Sequence, residues 1–154
     1  MTKTMTHSTD RIEKTTLLRA PQARVWRALS DAKQFATWFG ITLDEPFVVG
    51  RTVTGQLSMR GEQFTIEFAI DRIEPEHTFA YRWHPYAIDK NTDYSAEPMT
   101  LVEFRLKSVP EGTELTIIES GFDRIPAHRR DEAYRMNDGG WKSQIEKLRR
   151  HVES

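Results

Sequence analysis

Apolar spacing changes several times along this chain, and each change marks an element. Ile12 to Leu18 reads as a first strand. Ala20-Pro21 then opens a helix, with proline at a first-turn position where its missing N–H costs nothing. Val25, Trp26 and Leu29 form the apolar stripe of that helix. Asp31 caps a second short helix, with Gln34 three residues on as in a capping box. Phe35, Trp38 and Phe39 give its apolar face, and Gly40 stops it.

From Phe47 the period becomes two. Val49, Arg51, Val53 and Gly55 alternate with their neighbours, and Phe64, Ile66, Phe68 and Ile70 share the face of a second such strand. Phe79, Tyr81 and Trp83, then Val102, Phe104 and Leu106, then Leu115, Ile117 and Glu119 continue the pattern. Glu74-Pro75-Glu76 and Pro110-Glu111-Gly112 are turn signals between them, so the strands form an antiparallel meander. After Pro126 the helical period returns. Tyr134, Trp141, Ile145, Leu148 and Val152 recur at seven, four, three and four, one stripe of a long terminal helix. The predicted order is β-α-α-β-β-β-β-β-α, an α+β domain in which only the last helix is long enough to cover the sheet.

Composition narrows the function classes. The chain has 154 residues, the size of one domain, and no cysteine, which removes disulfide frameworks, cysteine-based zinc sites and thiol nucleophiles. Twenty-two basic side chains against 23 acidic ones leave a formal charge of −1, not the basic excess of a nucleic-acid binder. Apolar runs are too short to span a bilayer. Residues 1–10 are Thr-rich, lack the apolar core of a secretory signal, and are expected to be a flexible start to a domain over 11–154. The expected location is the cytoplasm.

Ala20-Pro21 with Val25-Trp26, Phe35 to Gly40, Ile73-Glu74-Pro75, Gly112 to Thr116, Glu119-Ser120-Gly121-Phe122 and Gly139-Gly140-Trp141 form an ordered set. The set resembles the helix-grip fold of the START-like (SRPBCC) superfamily. Its local motifs are similar to the AHSA-type branch, named for the activator of heat-shock-protein ATPase. The resemblance implies a twisted antiparallel sheet wrapped around the C-terminal helix, with an apolar or amphipathic small molecule held between them. It also leaves open a homodimer and a chaperone contact. It implies no cofactor, and a scaffold that hosts many functions does not choose among them.

Within that frame, Asn137 falls on the stripe of Tyr134 and Trp141, facing the sheet. It is the candidate polar anchor of an apolar pocket, or else a partner for a loop carbonyl. Gly139 and Gly140 interrupt the helix at about 1 kcal/mol each relative to alanine. They allow either close helix-to-sheet packing or open volume. Tyr81, Trp83, Phe104, Ile117 and Trp141 are expected to line the pocket, with Trp38 and Phe39 at its mouth. Glu119 continues the inward alternation of Leu115 and Ile117, as a buried acid–base group or, by default, at a wet rim beside Arg82 or Arg129. His84 and the long connection from Pro85 to Pro98 form a second region. There Asp93 is a candidate partner for His84 in acid–base work, against the default of an exposed structural histidine. Arg124, His128, Arg129 and Arg130 open the terminal helix and read as a solvated face. The five histidines show no metal-ligand spacing.

Three functions follow. The favoured one is binding of a hydrophobic or aromatic small molecule. The others are a cyclase-, dehydratase- or hydrolase-type enzyme using Glu119, His84 or Asp93, and a co-chaperone-like interaction module. The last is weakened because the chain as given carries no counterpart of the activators' N-terminal domain.

Overall fold

A computed structural model of the protein describes residues 9–154. The expectation about residues 1–10 therefore falls almost wholly outside the described residues. The chain runs β1 (Arg11–Leu18), α1 (Gln22–Ser30), α2 (Ala32–Phe39), β2 (Thr42–Leu43), β3 (Thr52–Met59), β4 (Glu62–Glu74), β5 (Thr78–Trp83), β6 (Thr100–Val109), β7 (Gly112–Ser120) and α3 (Ala127–Glu153). A single 3-10 turn, Phe122–Arg124, precedes α3. The strands form one antiparallel sheet in the order β1-β7-β6-β5-β4-β3-β2. This is the helix-grip arrangement expected from the sequence. It differs in two places. The strand expected from Phe47 begins only at Thr52, because residues 48–51 form a turn closed by Arg51 N–H to Val48 O. The short β2 has too few residues to show a period and is defined only by its pairing with Gln56 and Gly55.

Local chemistry sets the ends of the short helices. The Asp31 carboxylate accepts from Lys33 N–H at 2.9 Å and Gln34 N–H at 3.4 Å. Gln34 does not complete a capping box; its side-chain oxygen faces His151 on α3. Gly40 ends α2 with φ +91°, a conformation that side-chain-bearing residues resist. These helices pack against the sheet. The ring of Phe35 lies 4.8 Å from that of Phe39, and 5.9 and 6.2 Å from those of Phe68 and Tyr81 on the sheet.

The terminal helix buries Ala133, Trp141, Ile145, Leu148 and Val152 on the sheet, as the period of 3.6 requires. Tyr134 is half-buried, packs on Phe122 at 5.1 Å and donates its hydroxyl to Arg11 O. Among the described residues no helix is long and apolar enough to cross a membrane.

Candidate functional site

Alternation along β7 points Leu115, Ile117 and Glu119 to the same side, toward α3. Glu119 therefore enters the core rather than the rim: it is 0% exposed. Arg82 and Arg129, its expected partners, pair elsewhere, with Asp71 and Glu97. Four donors replace them. Trp141 Nε1 donates to Oε1 at 2.7 Å, and Trp83 Nε1 and Thr100 Oγ1 donate to Oε2 at 2.8 and 2.5 Å. Asn137 Nδ2 spans both oxygens at 3.0 and 3.1 Å. Burial pushes the carboxyl pKa above the ordinary range, while the four donors pull it back. An indole N–H can only donate, so the two tryptophans are held by an acceptor that cannot exchange roles with them while it is ionised.

Beside this cluster a cleft of about 580 Å³ opens between α3, the β3–β4 hairpin and the connection from Pro85 to Pro98. Trp83, Asn137 and Trp141 line it, so one buried carboxyl orients three of its wall residues. Phe39, His84, Asp93 and Gly140 line it too. Tyr81, Phe104, Ile117 and Trp38 do not; they are buried in the packed core behind the wall. Trp38 gives its N–H to Ala28 O, and the Tyr81 hydroxyl is buried without a partner among the described residues. Burial, and secondarily the charge of Glu119, raises the Tyr81 pKa well above its usual value.

The glycines of α3 give a clear result. A Cβ at Gly139 or Gly140 would meet nothing within 4 Å, so neither residue is there for close packing. At Gly140 the missing side chain leaves volume in the cleft.

The residues of the second region are close but not coupled as a pair. His84 Nε2 lies 3.1 Å from Glu97 O, and Asp93 Oδ1 accepts from Ser95 N–H. The Ser95 hydrogen bonds lower the Asp93 pKa, with a smaller contribution from the charge of His84. Arg129 is not part of a solvated face. It is 11% exposed, bonds Glu97 Oε1 through Nη2 at 2.6 Å, donates to Pro85 O at 2.8 Å and stacks 4.7 Å over the Tyr94 ring. It fastens the connection to α3, and that connection supplies Tyr86, Ile88 and Tyr94 to the cleft.

Several wall residues have no counterpart in the sequence reading. Leu57, Met59 and Phe64 come from the β3–β4 hairpin; Gln144 and Lys147 come from α3. Their signal is a second stripe, Asn137, Gly140, Gln144 and Lys147 at spacings of three, four and three, beside the apolar one. Among the described residues no group of three or more His, Asp or Glu could hold a metal ion.

Residues 19–153 match the family model described as Activator of Hsp90 ATPase homolog 1-like protein. The chain belongs to this family. Solved structures similar to this Activator of Hsp90 ATPase homolog 1-like chain share its fold at low identity. A protein from Mesorhizobium loti is 23% identical with a TM-score of 0.73, covering 93% of this chain and 96% of its own. One from Nitrosomonas europaea is 18% identical with a TM-score of 0.74, covering 96% and 97%. The Aha1 dimer from Colwellia psychrerythraea is 17% identical with a TM-score of 0.70, covering 93% and 96%. No curated protein matches the chain.

Proposed function

We propose that this family member binds a hydrophobic or amphipathic small molecule in the cleft between α3 and the sheet. The observation that carries the reading is the buried Glu119, which holds Trp83, Asn137 and Trp141 in fixed orientations along one wall. A pre-oriented wall lowers the cost of ordering side chains on binding. The volume of about 580 Å³ suits a drug-sized molecule. Catalysis by Glu119 is less well supported, because both its oxygens are already engaged by donors and neither reaches solvent.

A small-molecule screen by thermal shift tests the reading. A ligand at one hundred times its dissociation constant adds about 2.7 kcal/mol of stability. Gly140→Leu fills the cleft at a helical position that a longer side chain can occupy. Hits that stabilise the parent and not the folded Gly140→Leu variant support the site. Equal stabilisation of both places the ligand elsewhere.

A further inference from the structure

We infer that the cleft selects amphipathic anions, with Lys147 receiving the anionic head and the aromatic wall near Asn137 receiving the apolar body. This rests on the binding function proposed above and specifies its ligand class.

Lys147 lines the cleft and is half-buried. Its ammonium group donates to Phe39 O at 2.9 Å, and no acid lies within ion-pair distance of it among the described residues. The two acids on the cleft lining, Glu67 and Asp93, make no ion pair with it. An ammonium has three donors, and one backbone carbonyl uses one of them. A partly buried cation without an anion is costly unless a partner arrives. The like charge of Arg150 adds to the positive potential at this end.

Gln144 supports a polar terminus at the same place. Its Nε2 donates to the same Phe39 oxygen at 3.2 Å, so Gln144 and Lys147 meet at one point. Its Oε1 is buried without a partner among the described residues. Lys147 therefore leaves two ammonium donors unused beside the cleft, a pattern that suits an acidic head group.

Distance supports an elongated ligand. Asn137 and Lys147 are ten residues apart on one helix, about 15 Å along its axis. Between them stand Gly140, without a side chain, and Trp141. The other groups at the Asn137 end are saturated with each other through Glu119, leaving apolar ring surface to meet a ligand.

The simpler role for Lys147 is to cap the C-terminus of α2. A matched dye pair separates the two. 8-Anilino-1-naphthalenesulfonate and N-phenyl-1-naphthylamine share one aromatic body and differ by a sulfonate. We expect Lys147→Met to raise the ratio of the sulfonate's Kd to the neutral dye's Kd by about tenfold, and Lys147→Arg to keep it within about twofold. Lys142→Met, at an exposed position on the same helix, controls for loss of a general positive charge. Capping alone predicts that Lys147→Met lowers Tm and leaves the ratio unchanged; that result overturns the inference. A ratio that rises as much in Lys142→Met also overturns it. Folded Gly140→Leu should weaken both dyes. If it binds both as the parent does, or if the parent binds neither, the cleft reading itself fails. If Gly140→Leu loses both while Lys147→Met keeps the parental ratio, only the anion selectivity fails.

Discussion

Asn137 on α3 bridges both carboxylate oxygens of Glu119 on β7, at 3.0 and 3.1 Å. The pair ties the cleft-bearing stretch of the terminal helix to the sheet at the point where two glycines would otherwise weaken it. Helix position, wall orientation and the buried acid are thus one structural unit.

Glu119→Gln keeps the shape and replaces one acceptor oxygen with a donor. At least one of Trp83, Asn137, Trp141 or Thr100 then loses its acceptor inside the core. The expected cost is about 1–3 kcal/mol, measured by urea unfolding. Tryptophan emission should change as well, because two of the donors are indoles.

The pH dependence of that unit follows from the raised Glu119 pKa. The folded chain keeps this proton to a higher pH than the unfolded chain, whose carboxyl titrates near 4.5. Its contribution to stability is therefore full below about 4.5 and is lost as pH rises through the folded-state value. The stability of the parent relative to Glu119→Gln should fall from about pH 4.5 upward and then level off. A relative stability that rises over this range would mean that the four donors outweigh burial.

Arg129 fastens the Pro85–Pro98 connection through Glu97, Pro85 O and the Tyr94 ring. Arg129→Met should cost about 2–3 kcal/mol, since hydrogen bonds to charged groups are at the strong end. Hydrogen exchange and limited proteolysis should accelerate in 85–98 before the sheet responds. Uniform acceleration across the chain would assign Arg129 a global role instead.

Two glycine substitutions should act in opposite directions. Gly112 has φ +149°, and a Cβ there would lie 2.2 Å from Leu18 O, so Gly112→Ala must displace backbone and destabilise the protein. Gly139 has open space and an exposed helical position, so Gly139→Ala should stabilise by about 1 kcal/mol. Thermal melts of the two variants check both signs.

Leu148, on the inner face of α3, is fully buried. Leu148→Ala should cost about 2–5 kcal/mol by denaturant unfolding. A cost below about 1 kcal/mol would show that α3 contributes little to the core.

Periodicity alone determined the succession of elements apart from the short β2, and the buried face of α3, because alternation and the 3.6 spacing are local consequences of burying one side. The αL stop at Gly40 and the Asp31 cap were legible for the same local reason. Spacing also put Asn137 on the sheet side of α3 and marked Gly140 as unusual. It could not decide what stood opposite them. Glu119 read by default as a rim residue, because its burial depends on Trp83, Thr100, Asn137 and Trp141 arriving from three other elements. The division of aromatics between wall and core was hidden likewise: Tyr81 and Trp83 share a strand face, yet only Trp83 reaches the cleft. Arg129 looked solvated until the fold returned Glu97 and Tyr94 to it. Such outcomes belong to tertiary structure because a charged or aromatic side chain takes its role from long-range partners, whereas a helix or a regular strand shows itself in the local spacing of its apolar positions.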